Sequence, residues 1–221
     1  MKKTTHDFEL LRSKLYSAVV SDVLDGLDSH NHVIKCQLPQ LTGKKDRPLV
    51  GRCKTTLWAD MAHEDPKPYE LELKAVDSCK PDEVLVAAAN GSNRSALWGE
   101  LLSTACIRTG CVGAVVDGLV RDQIKMNAMN FPVFAKGASP LDSKNRQKVI
   151  EIDVKVEIGN CMISPGDIII ADMDGIVIVP QELEEKAISL ALEKVAAENT
   201  VRDAIRNGLS ATDAFKKYGV L

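Results

Sequence analysis

Residues 84–122, VLVAAANGSNRSALWGELLSTACIRTGCVGAVVDGLVRD, contain two short apolar runs separated by a helical pattern. The runs VLVAAA (84–89) and CVGAVV (111–116) have the length and composition of buried strands. Between them, residues 97–108 repeat apolar side chains at helical spacing and stop before a glycine. A strand, a helix and a strand joined by short links form a βαβ unit, which is parallel and right-handed in almost all proteins.

The same alternation continues after this unit and then gives way to a different pattern. A further helix is predicted at about 122–129, and a further strand at FPVFA (131–135). VIEIDVKVEI (149–158) alternates strictly, which predicts one strand with a single covered face. Two strands around a turn at Asp174-Gly175 are predicted within 164–180. The sequence therefore predicts an α/β fold in which antiparallel strands are added to parallel βαβ units.

Helices are predicted at both ends of the chain. Residues 6–20 carry apolar residues at helical spacing, and Ser21 is predicted to cap a second, short helix. A long amphipathic helix is predicted from Gln181 to about Asn207, followed by a short helical tail. No linker or shift in composition divides the chain, so residues 1–221 are predicted to form a single domain.

The composition limits the classes of function. The net charge is −3 and 45% of the residues are apolar, so a sizeable core is available and no basic nucleic-acid-binding surface is evident. No apolar run could span a bilayer, and the N-terminal residues lack an apolar signal core. We expect a soluble, cytoplasmic protein with no nucleic-acid or membrane partner. The six cysteines form no CxxC pair, and most of them are expected to be buried thiols, while His30 and His32 are interpreted as solvated loop residues.

Polar residues follow both apolar runs of the βαβ unit. Residues 90–100 follow the first run, and residues 117–122 follow the second. Because parallel strands end at the same edge of a sheet, the two segments are predicted to open on one side, where α/β proteins bind ligands. The chain has neither a GxxxxGK[ST] motif nor a GxGxxG motif after a strand, so the usual phosphate cradles are absent. Asp117 either supports a ligand-binding residue or is a turn residue before Gly118, and the turn is the preferred interpretation.

Arg121, Asp122 and Glu100 are the candidate functional side chains. Asp122 stands at a predicted helix start, where it is either a capping acid or a ligand-binding carboxylate. Arg121 offers a permanently charged, forked donor to a ligand carboxylate or enolate, or else forms a surface ion pair. Glu100 is either functional or a solvated helix residue, and Gly99 before it would let backbone N–H groups approach a ligand. Lys136 is the nearest candidate for a Schiff-base nucleophile.

The segment WGELLSTACIRTGCVGAVVDGLVRD (98–122) resembles the central motif of the RraA-like family. That family includes 4-hydroxy-4-methyl-2-oxoglutarate / 4-carboxy-4-hydroxy-2-oxoadipate aldolases and regulators of ribonuclease E activity. SDVLDGL, FPVFAKGASP and PGDIIIADMDGIVIVP fit the family in the expected order, so the resemblance spans roughly 15–180. It implies a layered β/β/α fold of the swivelling type that assembles as a homotrimer or homohexamer.

The resemblance also implies the chemistry of a class II pyruvate aldolase, with a 2-oxo acid as the substrate. Asp122 looks like the ligand of Mg²⁺ or Mn²⁺, and Arg121 like the group that binds the substrate oxygens and stabilises the pyruvate enolate. Glu100 matches the position that holds a metal-bound water. The backbone amides of Leu101 and Leu102, after Gly99, would hold the pyruvyl carboxylate. Oxaloacetate decarboxylation follows the same logic.

The C-terminal helix of the aldolase members reaches a neighbouring subunit and contributes a glutamate there. By this resemblance, residues 181–221 are predicted to be a helical extension that packs on a neighbouring subunit. Glu193 and Glu198 are the candidates for the glutamate, and Glu198 is preferred because Arg202 at i+4 could orient it.

Two departures from the aldolases leave the substrate open. Glu100 stands where aspartate is more usual, and residues 139–149 are rich in charge, so that Lys144 or Arg146 could meet a different distal group. The alternatives are therefore another metal-dependent sugar-acid lyase or dehydratase at the same site, or a non-enzymatic regulator of ribonuclease E.

Overall fold

The computed structural model describes residues 6–220, so residues 1–5 and residue 221 of the predicted domain lie outside the described part. The helices are α1 (Phe8–Lys14), α2 (Ser17–Gly26), α3 (Glu70–Asp77), α4 (Glu100–Thr109), α5 (Gln123–Ala128), α6 (Glu184–Arg206) and α7 (Ala211–Tyr218). The strands are β1 (Gln40–Thr42), β2 (Leu49–Asp60), β3 (Glu83–Ala88), β4 (Ala96–Trp98), β5 (Gly113–Val120), β6 (Val133–Ala138), β7 (Gln147–Ile152), β8 (Val156–Ile158), β9 (Cys161–Ile163), β10 (Ile168–Ala171) and β11 (Ile176–Val179).

Nine of the described strands form one mixed sheet. Its centre is parallel, in the order β6, β5, β3 and β2, and the short β4 pairs in parallel with the far end of β5. Antiparallel strands complete it: β1 lies beside β6, while β10 and β7 pair in turn along the free side of β2, and β11 follows β10. The predicted α/β fold of parallel units with added antiparallel strands is confirmed.

The two faces of β3 show how the layers are built. Leu85 and Ala87 face a core formed with the helices, whereas Val84, Val86 and Ala88 face a core formed with β8 and β9. The β8–β9 pair is an antiparallel hairpin outside the main sheet. Helices therefore cover one face and a second β-layer covers the other, which explains why β3 is apolar at every buried position.

A third core lies at the edge formed by β10 and β11. Val20 and Leu24 of α2 pack there against Ile168 of β10 and Ala187 of α6, with all four side chains buried. The first half of α6 therefore packs on its own chain. That the remainder of residues 181–221 packs on a neighbouring subunit stays a prediction.

The N-terminal helix prediction is wrong in its boundaries. Residues 6–20 form two helices, and α2 begins at Ser17 rather than being capped by Ser21. The backbone N–H and the hydroxyl of Ser17 donate to the Asp172 carboxylate at 2.7 and 2.6 Å. A side chain distant in sequence thus takes up the free donors of the helix start. Ser21 lies 3.0 Å from a ring nitrogen of His32, which is buried and not a solvated loop residue.

Two other predicted elements are divided in the structure. Residues 97–108 are not one helix, because Ala96–Trp98 pairs with β5 and the helix begins at Glu100. Residues 149–158 are not one strand either. Asp153 has φ 58°, outside the strand region, and it separates β7 in the main sheet from β8 in the hairpin. The predicted pair of strands within 164–180 is confirmed as β10 and β11.

The cysteines are unpaired and mostly buried. Cys36 is half-buried and the other five cysteines are buried, and all six are free thiols, as expected for most of them. Within residues 6–220, no helix combines the length and the apolar composition that crossing a membrane requires.

Gly51 of β2 leaves no room for a side chain. A β-carbon there would lie 2.4 Å from the Asp82 carbonyl oxygen and 2.9 Å from a methyl carbon of Val84. We expect Gly51→Ala to lower the free energy of unfolding by about 2–3 kcal/mol, because backbone must move to relieve the overlap. Urea denaturation measures this change. Gly175→Ala is the matched control, since nothing lies within 4 Å of its added carbon, and equal losses in both variants would contradict the packing argument.

Candidate functional site

The candidate site is a cleft of about 330 Å³ where β4 and β5 end. The carboxyl ends of these parallel strands bring the two predicted segments to one place, although the first segment reaches it through β4 rather than directly from β3. Five of the residues named from the sequence line it: Gly99, Leu101, Leu102, Arg121 and Asp122. The opposite wall comes from the start of α3 and the loop between β6 and β7, and includes Tyr69, Glu72, Asp142 and Ser143.

Asp122 occupies the N-cap position of α5 with φ 59° and ψ 29°, the left-handed conformation. Aspartate is one of the residue types that enters this region at modest cost. Its carboxylate makes no capping hydrogen bond to α5. Instead, its Oδ2 atom accepts a hydrogen bond of 3.3 Å from the backbone N–H of Glu100, at the start of α4. Asp122 therefore does not cap its own helix, and its carboxylate faces the N-terminus of a different helix.

Gly99 makes this approach possible by its size. A β-carbon at Gly99 would lie 2.8 Å from Oδ2 of Asp122 and 3.2 Å from Cγ of Arg121. Its backbone is extended, with φ −162°, so no unusual conformation requires a glycine. The missing side chain provides the space that the Asp122 carboxylate occupies against α4.

Arg121 is held across the cleft by an aspartate that the sequence did not single out. Its Nη2 atom lies 2.7 Å from Oδ2 of Asp142, while its Nε atom lies 3.9 Å from Oδ2 of Asp122. Asp142 also accepts hydrogen bonds of 2.7 Å from the Tyr69 hydroxyl and from the backbone N–H of Lys144. Burial favours a raised pKa for Asp142, but these donors and Arg121 outweigh it and hold the pKa below its usual value. Arg121 is thereby fixed with its guanidinium in the cleft.

Lys144 and Arg146 lie behind this network. Together with Tyr69 and Asp142 they border a second, more open cavity. Arg146 donates to the backbone oxygen of Asp142 at 3.0 Å. A ligand in the main cleft would meet the pair of Asp142 and Tyr69 before either cation.

Glu72 is the other functional candidate that sequence reasoning missed. It lies on α3, is 8% exposed, and its Oε2 atom has no hydrogen-bond partner among the described residues. Burial raises its pKa to about 8, with the charge of Asp142 adding to the rise and Arg121 opposing it. The sequence held no signal for this position, which is one of several acids in YELELKAVDS.

Two predicted acids do not line the cleft. The side chain of Glu100 turns to Thr104, whose hydroxyl lies 3.3 Å from Oε1. Glu198 accepts a hydrogen bond from the Tyr16 hydroxyl of the same chain. Arg202 contacts Asn199, so the reason for preferring Glu198 is not borne out. The action of a C-terminal glutamate in a neighbouring site stays a prediction, for Glu198 and for Glu193.

Asp117 is not a turn residue. It lies inside β5, is buried, and accepts a 2.7 Å hydrogen bond from the backbone N–H of Gly91. Burial raises its pKa, and that hydrogen bond and Lys136 oppose the rise. The exposed Lys136 donates to the Gly91 oxygen at 2.5 Å and does not border the cleft, so its position does not suit a Schiff-base nucleophile.

The donor atoms of the cleft suit a hard divalent ion. The Asp122 side chain is 39% exposed in a cleft that opens to solvent, which leaves space for the water ligands that Mg²⁺ usually keeps. A different cluster brings the sulfur atoms of Cys79, Cys106 and Cys111 within 4.8 Å of one another. It is buried in the core, and thiolate ligands suit softer metals than Mg²⁺ or Mn²⁺.

Solved structures share this fold over almost the whole chain. An uncharacterized protein from Pseudomonas syringae pv. tomato superimposes with a TM-score of 0.84 at 24% identity, covering 99% of this chain and 98% of the other. Streptomyces coelicolor RraAS2, described as an unusual member of the RNase ES inhibitor RraA protein family, superimposes with a TM-score of 0.75 at 26% identity, covering 90% and 98%.

Other protein sequences are also similar to this chain. A protein of Halalkalibacterium halodurans named "putative 4-hydroxy-4-methyl-2-oxoglutarate aldolase" is 29% identical over 97% of this chain and 96% of its own length. Protein DlpA of Legionella pneumophila is 29% identical over 91% of this chain, which spans only 32% of that longer relative. The sequence model of the RraA-like family, described as Aldolase/RraA, matches residues 17–178, so the chain belongs to the RraA-like family.

Proposed function

We propose that this protein is a divalent-metal-dependent lyase that breaks a carbon–carbon bond of a 2-oxo acid and releases pyruvate. The observation that carries the proposal is the meeting of Arg121, Asp122 and the N-terminus of α4 in one cleft. These groups offer a carboxylate for a metal ion, a fixed cation and free backbone amides around one small anion. The name of the Halalkalibacterium relative points to the same chemistry.

Each group has a defined task in this reaction. Asp122 would hold Mg²⁺ or Mn²⁺, and the bound ion would supply Lewis-acid polarisation of the 2-oxo group. Arg121 would bind the substrate oxygens and stabilise the negative charge of the pyruvate enolate. The backbone N–H groups of Leu101 and Leu102, in the first turn of α4, would bind the carboxylate next to the 2-oxo group. Glu100, whose side chain contacts Thr104 in the structure, would have to turn toward the cleft to hold a metal-bound water molecule.

The reaction needs no further reactant. In an aldol substrate, the 4-hydroxyl group loses its proton while the C3–C4 bond breaks, and the bonding electrons pass into the pyruvate enolate. Carbon 3 then takes up a proton, which gives pyruvate and a second carbonyl compound. In oxaloacetate the C3–C4 bond breaks as CO₂ leaves, and its electrons pass into the same enolate. Arg121 suits both substrates because the same enolate forms in each.

A coupled assay for pyruvate tests this function, with 4-hydroxy-4-methyl-2-oxoglutarate and oxaloacetate as substrates. We expect pyruvate release that stops with a chelator and returns when excess Mg²⁺ or Mn²⁺ is added. The rate without protein is subtracted, because metal ions alone promote the decarboxylation of oxaloacetate. No release above that background from either acid would rule out both substrates. Release that a chelator leaves unchanged would rule out the metal.

The likeness to Streptomyces coelicolor RraAS2 favours a second candidate, a non-enzymatic regulator that binds a ribonuclease. A third, a sugar-acid lyase or dehydratase, would use the same cleft. A panel of 2-oxo and aldonic acids, together with a pull-down using ribonuclease E, separates the three. Tight ribonuclease binding without turnover of any acid would favour the regulator. A homotrimer or homohexamer, in which Glu198 or Glu193 enters a neighbouring cleft, is proposed for the enzyme.

A further inference from the structure

Glu72 is a buried carboxyl group in the wall of the cleft that the proposed reaction does not use. It is the third residue of α3 and borders the same cavity as Arg121 and Asp122. Only 8% of the residue is exposed, and its Oε2 atom has no hydrogen-bond partner among residues 6–220. Buried polar atoms almost always have a hydrogen-bond partner in native proteins. An unpartnered buried oxygen beside a ligand cleft therefore points to a partner supplied by the ligand.

The surroundings of Glu72 favour its neutral form. The titratable groups that share the cleft with it are Tyr69 before α3, Asp142 in the β6–β7 loop, and Arg121 and Asp122 after β5. Arg121 is the one cation among the described lining residues, and it is already paired with Asp142 at 2.7 Å. In the cleft without a metal ion, a buried carboxyl group that faces another acid and has no cation of its own is stabilised in its protonated form. It then presents an O–H donor rather than a charge.

The two walls of the cleft suit the two ends of a substrate. The pyruvyl half would lie against Arg121, Asp122 and the start of α4. The cavity measures about 330 Å³, which is within the range of pockets that enclose whole small molecules. The wall formed by α3 is therefore available to the half of the substrate that does not become pyruvate.

We propose that Glu72 is a specificity-determining residue that donates a hydrogen bond from its protonated carboxyl group to an oxygen atom at the distal end of the 2-oxo acid. The distal oxygen belongs to a second carboxylate or to a hydroxyl group, and both accept such a bond. This inference rests on the proposed pyruvate-forming reaction and extends it to the recognition of the other half of the substrate. In an aldol substrate this distal group lies beyond the C3–C4 bond that breaks, so Glu72 would bind it without taking part in the cleavage.

Two substitutions distinguish a role of Glu72 as hydrogen-bond donor from a role of its negative charge. Glu72→Gln keeps a hydrogen-bond donor of nearly the same shape, whereas Glu72→Ala removes it. Glu70→Gln is the control, because Glu70 is an exposed acid on the same helix, paired with Lys67 at 3.0 Å. Pyruvate release is measured with 4-hydroxy-4-methyl-2-oxoglutarate, which ends in a carboxylate that takes no part in the cleavage, and with a 4,5-dihydroxy-2-oxo acid, which ends in a hydroxyl group. Oxaloacetate is left out of this comparison because its distal carboxylate is the group that leaves as CO₂. Oxalate resembles the pyruvate enolate and has no distal group. Its inhibition constant therefore reports on binding to the wall formed by Arg121, Asp122 and the start of α4.

For Glu72→Ala we expect KM to rise about tenfold for every substrate whose distal oxygen accepts the bond, with kcat changed much less. Oxalate inhibition should stay the same, and Glu72→Gln should remain within about threefold of the wild type. A rise in KM for the carboxylate substrate alone, or for the hydroxyl substrate alone, identifies the distal group that is recognised. An unchanged KM in Glu72→Ala, or a parallel loss of oxalate inhibition, would overturn the proposal. A collapse of kcat in Glu72→Gln would also overturn it, since Glu72 would then transfer a proton.

Infrared spectroscopy gives a readout that does not depend on turnover. The difference spectrum between the wild type and Glu72→Gln at pH 7 should contain the C=O band of a protonated carboxyl group. If that band is present but no acid yields pyruvate, the proposed reaction fails while the state of Glu72 stands. If pyruvate forms but the band is missing, Glu72 is ionised and the hydrogen-bond proposal fails.

Discussion

Asp122→Asn should reduce pyruvate release by about three orders of magnitude, which corresponds to about 4 kcal/mol of lost transition-state stabilisation. Asparagine has the same size and still accepts the hydrogen bond from the backbone N–H of Glu100, which measures 3.3 Å in the wild type. The substitution therefore removes the negative charge and leaves the cleft its shape. Since that charge is what would hold the divalent ion, saturating Mg²⁺ or Mn²⁺ should not restore the wild-type kcat.

Asp174→Asn is the matched control, because Asp174 is an exposed aspartate in the β10–β11 turn, outside the cleft. It should retain the wild-type rate, and both variants should unfold at similar urea concentrations. Calorimetric titration with Mn²⁺ should show binding in the control and no binding in Asp122→Asn. Tight Mn²⁺ binding and a kcat within about threefold of the wild type in Asp122→Asn would mean that another group holds the ion.

The edge of the sheet that carries the cleft was predictable from residues 84–122 alone. Two apolar runs joined by a helix imply parallel strands, and parallel strands end on one side. The position of the helix start was not predictable, because Ala96–Trp98 contains apolar residues that suit a helix as well as a strand. Its pairing with β5 decides between them, and that contact is tertiary.

The misreading of Asp117 has a similar cause. Asp-Gly is a frequent turn sequence, so residues 117–118 indicated the end of the strand. In the structure, β5 continues to Val120 because it gains β4 as a second neighbour, and the register with β6 shifts between Val116 and Leu119. The irregularity suggested by the sequence is present, but as a bulge inside the strand rather than as its end.

The opposite wall of the cleft could not be predicted from periodicity. Asp142 contacts Arg121 from the β6–β7 loop, 21 positions along the chain, and no repeat or motif links the two. Glu70 and Glu72 lie two positions apart in one helix, yet the first is exposed and the second buried. Residues two apart face different sides of a helix, so the sequence shows that their environments differ without showing which one meets the core.

The contribution of Glu72 to the free energy of unfolding should fall as the pH rises from about 5 to about 8, and Glu72→Gln should abolish that pH-dependent contribution. Burial raises the pKa of Glu72 from 4.5 to about 8. Below both values the carboxyl group is protonated in the folded and the unfolded state, so it contributes no pH dependence. Between them the unfolded chain releases a proton that the folded chain keeps, and the folded state loses stability by about 1.4 kcal/mol per pH unit.

Over the whole range between the two pKa values of Glu72, the loss of folding stability reaches at most about 5 kcal/mol. The loss is complete once the pH exceeds the folded-state pKa. Glutamine does not titrate, so Glu72→Gln and the wild type should differ little in pH dependence below pH 4.5 and diverge by several kcal/mol at pH 8.5. Urea denaturation at a series of pH values measures the divergence, with Glu70→Gln as the control that should follow the wild type. Other carboxyl groups titrate in both proteins, so their contributions cancel in the difference between the two curves. A constant offset between wild type and Glu72→Gln at every pH would show that Glu72 is ionised in the folded protein, and the neutral donor in the cleft would have to be abandoned.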